Sequence, residues 1–169
     1  MDSMPRKRLR EKVIYRSGVY GELLIVSAFI ASVFNHFVAP DYDPQGTHEF
    51  LKYIHPTAIG DRLKHNHFLR VAEVNQQIVG VLEMRDYHHL SLLFVARSHQ
   101  RQGIAKKLFS QAIAICQQHD QDLAAITVNS APGAVPAYQA MHFQIIGEEQ
   151  VKNGIRFIPM QYELKPKSE

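Results

Sequence analysis

Residues 89–116 constrain the fold most. Leu90–Val95 is an apolar run of strand length, as expected for a strand covered on both faces. The next stretch, Gln100-Arg101-Gln102-Gly103-Ile104-Ala105, has no apolar side chain before Ile104. From Gly103 onward, Ile104, Leu108, Ala112 and Ile115 recur at helical spacing and predict a helix to about His119. A strand feeding a glycine-bearing turn into a helix gathers several unpaired backbone N–H groups at the positive end of the helix dipole. Such a device holds phosphate, although the same pattern also describes an ordinary strand–helix turn eased by a glycine. It is neither a Walker Gly-x-x-x-x-Gly-Lys-Ser/Thr loop nor a Rossmann Gly-x-Gly-x-x-Gly turn.

The flanking chain supplies the partners for this unit. Lys12–Tyr20 reads as a first strand. Leu24, Ala28, Ala31 and Phe34 then mark the inward stripe of a helix that Pro40 ends. Asp41–Gly46 is expected to be loop, and Thr47–Ile54 a second helix with Phe50, Leu51 and Ile54 inward, stopped before Pro56. His55–Asn66 shows no sustained period. His67–Val74 and Gln77–Arg85 alternate with period two around an Asn75-Gln76 turn, and Asp86-Tyr87 leads into the strand ending at Val95. Beyond the helix, Leu123–Val128 should pair parallel to the preceding strand, because a helical crossover separates them. Asn129–Gly133 reads as loop and Ala134–Met141 as a short helix with Pro136 in its first turn. Phe143–Val151 and Ile155–Leu164 close as a hairpin on Lys152-Asn153-Gly154. The expected architecture is an α/β (α+β type) single domain, with a mixed, mainly antiparallel sheet flanked by helices.

Charge narrows the partner classes. The chain of 169 residues carries a net +3, and residues 1–12 hold five basic side chains against two acidic ones, which accounts for the whole excess. The body is neutral, so a nucleic-acid partner is not expected and the basic segment 1–11 reads as a solvated tail ahead of a domain spanning 12–164, with 165–169 a C-terminal tail. Leu23–Val38 is the most apolar long segment, but Ser27, Ser32, Asn35 and His36 interrupt it and it falls short of a membrane span. A single cysteine, Cys116, lies on a helical core pattern, so it reads as a buried structural thiol in a reducing, cytoplasmic setting. Of the ten histidines, only the His65-x-His67 and His88-His89 pairs are placed to converge. With no Cys partner and no His-Glu-x-x-His pattern, no metal site is expected.

Two segments carry a family resemblance. Val95–Ala105 resembles the acyl-CoA-binding motif of the GNAT-superfamily N-acetyltransferases, whose core is Gln/Arg-x-x-Gly-x-Gly/Ala. Downstream, Asn129-Ser130-Ala131-Pro132-Gly133-Ala134-Val135-Pro136-Ala137-Tyr138, then Met141-His142-Phe143, resembles the family's Asn…Ala…Tyr-x-x-x-Gly-Phe segment. The order of elements agrees over roughly residues 12–164. The resemblance implies acetyl-CoA as cosubstrate, with the edges of Phe94 and Val95 bonded to its pantetheine arm. Gln100, Arg101, Gln102, Gly103, Ile104, Ala105 and Lys106 would hold the pyrophosphate. Asn129 would contact the cofactor beyond the fifth strand, and Tyr138 would protonate the departing thiolate. Two positions depart from the family pattern: His142 stands where glycine is usual, and Arg97 where proline is frequent.

Acyl transfer also needs a neutral amine, so a general base is sought on the central strands. Glu83 is the first candidate, as the only carboxylate inside Gln77–Arg85, although alternation leaves a solvent-facing glutamate equally open. His89 is the second, sharing one face with Ser91, Leu93 and Val95 on strict alternation, with an unperturbed pKa suited to the task. The expected activity is N-acetyl transfer to a primary amine of a small molecule or peptide by direct attack in a ternary complex. The alternative is a catalytically weak acyl-CoA-binding sensor or protein-interaction module. A homodimer is compatible with either. The acceptor side offers Asp41, Asp43, Glu49 and Asp61 for a cationic amine, and Phe50, Tyr53 and His55 for an apolar slot. These leave polyamine, amino acid, antibiotic and protein N-terminus open.

Overall fold

The computed structural model describes residues 11–165, so nearly all of the basic N-terminal tail and residues 166–169 lie outside it. The chain opens with strand β1 (Ile14–Ser17), followed by helices α1 (Leu23–Phe37), α2 (Pro44–Tyr53) and α3 (Pro56–Leu63). An antiparallel meander follows, β2 (His67–Val74), β3 (Gln77–Arg85) and β4 (His89–Val95). Its two turns place Asn75, Gln76, Asp86 and Tyr87 at positive φ, the conformation that tight hairpin turns require. Helix α4 (Ile104–His119) crosses to β5 (Ala125–Ser130), then come α5 (Val135–Ala140), β6 (Gln144–Ile145), β7 (Gln150–Lys152) and β8 (Ile155–Glu163). The sheet runs β1-β2-β3-β4-β5-β8-β6, with β7 also paired to β8. Every pairing is antiparallel except β4 with β5.

Both sheet faces are covered. On one, Leu82, Met84, Leu90 and Ile126 pack against Leu108 and Ala112 of α4. On the other, Val71, Val81 and Leu92 meet Val26 and Ile30 of α1, Ile54 beyond α2 and Ile59 of α3. That double coverage is why Leu90–Val95 reads as an apolar run. Tyr20–Phe37 is long and apolar enough to cross a membrane by length and composition alone. Within the fold its Val26, Ile30 and Phe34 are fully enclosed by the domain.

The α1–α3 region departs most from the sequence expectation. The inward stripe of α1 is Leu23, Val26, Ile30, Val33 and Phe34, and Leu24 is 74% exposed. A helix with apolar residues on nearly every side leaves its phase undetermined, and packing on the sheet chose the stripe one residue earlier. Leu51, expected inward, is exposed as well. Pro44 and Pro56 do not mark loop and stop: each sits in the first turn of a helix, where its missing N–H costs nothing. Asp43 caps α2 by accepting from Gly46 N at 2.7 Å, and His55 caps α3 by accepting from Thr57 N at 3.3 Å. His55–Asn66, read as patternless, therefore holds a third helix. The expected Phe143–Val151 strand is broken into β6 and β7, and Asn129 and Ser130 extend β5 rather than opening the loop.

Candidate active site

Strands β4 and β5 touch over only two residue pairs, His89–Thr127 and Leu90–Val128, and then separate. A parallel pair that splays leaves main-chain groups of both strands without a neighbour. The gap opens into a cleft of about 710 Å³, bounded by β4, the 99–106 loop, the end of β5 and the start of α5, with α1 and α2 on its other side. Phe94, Val95, Gln100, Arg101, Gly103, Ile104, Ala105, Lys106, Asn129 and Tyr138 all line it. Two distant sequence motifs thus meet on one cavity. Gln102 and Glu83 are not among its walls: Gln102 turns its side chain back to Ser98 O at 3.4 Å.

The turn before α4 gathers unpaired main-chain donors. Gly103 is the N-cap, at φ +81°, a left-handed conformation open to glycine at little cost. A Cβ placed there would meet nothing within 4 Å, so the backbone is approachable from the cleft side. Arg101 also sits at positive φ, which turns successive N–H groups inward as a nest. The first hydrogen bond of the helix is Lys107 N to Gly103 O, and among the described residues Arg101–Lys106 N–H groups have no protein acceptor. No capping side chain intervenes. Arg101 and Lys106 add positive charge beside these dipoles.

The edge of β4 needs one correction. Ala96 N bonds Val79 O at 2.8 Å, so alternation in the antiparallel pair turns the main chain of Phe94 toward β3 and that of Val95 and Leu93 toward the gap. Phe94 contributes its ring to the cleft instead. Val95 O meanwhile accepts from the Gln100 side-chain amide at 3.1 Å. A bulge in the same strand corrects His89. Glu83 pairs with Leu92 and Met84 with Leu90, leaving Ser91 without a partner on β3. One extra residue flips the alternation, so His89 lies on the α1–α3 side with Leu92 and not with Leu93 and Val95.

The two candidate bases are both buried. Glu83 is fully enclosed. Its Oε1 accepts from Arg62 Nε at 2.7 Å and lies 2.8 Å from His67 Nδ1, while Oε2 accepts from Arg62 Nη2 at 2.9 Å. Arg62 also donates to Tyr53 O at 2.7 Å and lies 3.7 Å over the Tyr53 ring. His89 is 2.7 Å from Thr127 Oγ1. Burial, helped by the charges of Arg85 and His88, holds its imidazole down to about 4. An imidazole so depressed is neutral at pH 7 and weakly basic, so the unperturbed value expected from sequence does not apply. Among the described residues, no group of three or more His, Cys, Asp or Glu is placed to hold a metal ion.

Tyr138 faces the cleft from α5 with its ring edge-on to Phe143 at 5.3 Å between centroids. Burial pushes its phenol well above the usual tyrosine range, so the hydroxyl keeps its proton throughout physiological pH. The turn after it explains the family's glycine. His142 sits at φ +71°, with His142 N bonded to Gln139 O and Phe143 N to Tyr138 O, both at 3.0 Å. This is a Schellman turn with its left-handed position filled by histidine. The departure costs backbone strain but leaves the turn and Tyr138 in place. Cys116 is fully buried, and burial pushes its thiol up to about 12, which keeps it from acting as a nucleophile.

The Acetyltransferase (GNAT) domain profile matches residues 38–164. The chain belongs to the GNAT acetyltransferase family. Among solved structures, a GCN5-related N-acetyltransferase from Rhodopseudomonas palustris superposes with a TM-score of 0.77 at 13% identity, over 93% of this chain and 99% of that one. The PaiA N-acetyltransferase of Thermoplasma acidophilum, solved with coenzyme A, gives 0.74 at 11% identity, over 90% and 99%. An aminoglycoside 6′-N-acetyltransferase, also solved with coenzyme A, gives 0.61 at 9% identity, over 92% and 99%. At these identities the likeness is one of fold. No curated protein matches the sequence.

The acceptor side, weighed from sequence as a list of acids and aromatics, separates once the fold is known. Asp43 is a helix cap, Asp61 is 3.2 Å from Lys64 and Glu49 3.6 Å from Lys52 at the surface, Tyr53 lies under Arg62, and His55 caps α3. Of those seven residues, Asp41 and Phe50 line the cleft. Sequence reasoning missed Phe37, Tyr42 and Leu93 there, and it missed Arg62 altogether. An arginine in a stretch without visible helical period gives no hint of a buried carboxylate partner on a strand 21 residues later.

Proposed function

We propose that this protein is an acetyl-CoA-dependent N-acetyltransferase acting on a primary amine by direct attack in a ternary complex. One observation carries the reading: a run of unpaired main-chain N–H groups and a protonated tyrosine lie on a single cleft that enters a splayed sheet. The pyrophosphate would sit against N–H groups of Arg101–Lys106, where unpaired donors and the α4 dipole favour negative charge. The pantetheine arm would lie along β4 as an added strand, with the main chain of Leu93 and Val95 as its partners. Binding there requires the Gln100 amide to leave Val95 O. Asn129, at the end of β5, would bound the other side.

In the transfer, the amine nitrogen attacks the thioester carbon and the C–S bond breaks as the tetrahedral intermediate collapses. Main-chain N–H at the β4 bulge would stabilise the oxyanion. Tyr138 gives its phenolic proton to the leaving sulfur, and the proton shed by the acylated nitrogen returns to it through water. A desolvated site disfavours phenolate and thiolate alike, so the transfer runs between groups shifted in the same direction. Glu83 has both oxygens engaged and does not reach the cleft, so we place it as a positioning residue and not as the base. The attacking amine would enter as its neutral fraction. A reducing, cytoplasmic setting accords with one buried free thiol.

The same fold could bind acyl-CoA without catalysis. The only feature favouring that was His142, and its turn keeps both hydrogen bonds. Tyr138→Phe separates the two. As general acid, Tyr138 contributes on the order of 10²–10⁴ in rate, so kcat should fall by that factor while acetyl-CoA affinity holds. Unchanged turnover across pH would remove Tyr138 from the reaction.

A further inference from the structure

The cleft is chemically polarised along its length. Its basic side chains, Arg101 and Lys106, stand at the α4 turn, and Asp41 is the only carboxylate on its walls among the described residues. Asp41 lies between Phe37 and Tyr42 in the chain, with its Oδ2 3.5 Å from where a Cβ on Gly133 would lie, and Phe37, Tyr42, Phe50 and Phe94 line the same cleft. These rings are held in place. Phe50 stacks on the fully buried Phe34 at 4.1 Å between centroids and lies 5.9 Å from Phe94, while Phe34 meets Tyr42 edge-on at 5.4 Å. Pre-ordered rings give contact area to a ligand at small entropic cost.

Helix α2 crosses above this end of the cleft as a strap. Its C-terminal end is tied to β3, because Arg62 bonds both Glu83 and Tyr53 O. Its N-terminal end packs glycine on glycine against the β7–β8 turn. A Cβ on Gly154 would lie 2.6 Å from Gly46 N, and one on Gly46 would collide with Gly154 O. In the sheet order, β4 and β5 lie between those two anchors. The strap therefore spans the strands that diverge, and an extended polypeptide laid across that face would run into it.

Taking the proposed transfer reaction as its ground, we infer that the acceptor is a small amine carried on an aromatic or similarly apolar body. Its flat body packs against Phe50, Phe94 and Tyr42, and Asp41 draws its ammonium, which sheds its proton to solvent so that the neutral amine attacks. A polyamine would leave those rings facing several unpaired charges, and a carboxylate-bearing acceptor would meet Asp41 with like charge.

The test uses the full chain. Calorimetric titration with CoA comes first; absence of binding would remove the transferase reading itself. With CoA binding in hand, thiol release from acetyl-CoA is followed with 2-phenylethylamine, spermidine and a short peptide with a free N-terminus. The expected result is a kcat/KM for 2-phenylethylamine at least tenfold above the other two. Asp41→Asn and Phe50→Ala should each lower it about tenfold through KM while leaving the CoA dissociation constant unchanged. A preference for spermidine or the peptide overturns the inference, as does absence of turnover with 2-phenylethylamine. So does indifference of its KM to Asp41→Asn.

Discussion

The two ends of the cleft are built by different means. The end proposed to take phosphate is backbone: a strand, a glycine at φ +81° and a helix start, contiguous over residues 95–106. The proposed acceptor end comes from side chains of α1, the 39–42 segment, α2 and β4 brought together by packing. Backbone devices are short and local, so they tolerate change in everything but the glycine. Side-chain constellations depend on the docking of whole helices.

Breaking the acceptor scaffold should have the largest effect on the fold. Glu83→Ala strands Arg62 as a partly buried charge without its carboxylate, and losing one member of a buried pair costs roughly 3–5 kcal/mol. Denaturant melts of that variant should show this loss, with α2 loosened over the cleft. A change under 1 kcal/mol would mean that the Arg62–Glu83 pair does not hold the strap.

Acid should weaken the junction between the two ends, where β4 and β5 last touch. His89 has a folded pKa of about 4 against about 6.5 unfolded. The unfolded chain thus binds more protons between these values, and stability is full above pH 6.5 and lost as pH falls toward 4. The loss approaches roughly 3 kcal/mol at its limit. His89→Gln should flatten the stability profile over that window, and an unaltered slope would contradict the assignment.

The smallest effect is expected at the turn after Tyr138. His142→Gly removes the left-handed strain of a side-chain-bearing residue and should raise stability by roughly 1 kcal/mol with turnover unchanged. Destabilisation would mean that the exposed imidazole has a role the turn does not explain.

The strand–turn–helix at 90–119 was legible because it lies in contiguous sequence with one conformationally special residue. The meander was legible for a similar reason: period-two alternation fixed His67–Val74 and Gln77–Arg85 to the residue. His142 was visible as a departure, but only φ +71° shows what the family's glycine is for. The acceptor end was not legible. Leu23–Phe37 is apolar nearly all round, so the stripe facing the sheet is settled by packing. Pro44 and Pro56 read equally as breakers and as first-turn residues. The Ser91 bulge, which moves His89 to the other face, has no signature in Leu90–Val95. Glu83 was read as a candidate base or a solvent-facing glutamate, and its buried pairing was not legible because its partner Arg62 came from a segment without visible period.

The central claim is that the backbone turn at Gly103 holds the CoA pyrophosphate. It is tested most directly by calorimetric titration of CoA into the wild-type chain and Gly103→Trp, with circular dichroism confirming that both are folded. Nothing lies within 4 Å of the Cβ position, so the new side chain starts in open space and stands where the phosphates would bind, while φ +81° strains any residue but glycine. Binding to the wild type and none to the variant is the expected result. Equal affinity for CoA in both would contradict it.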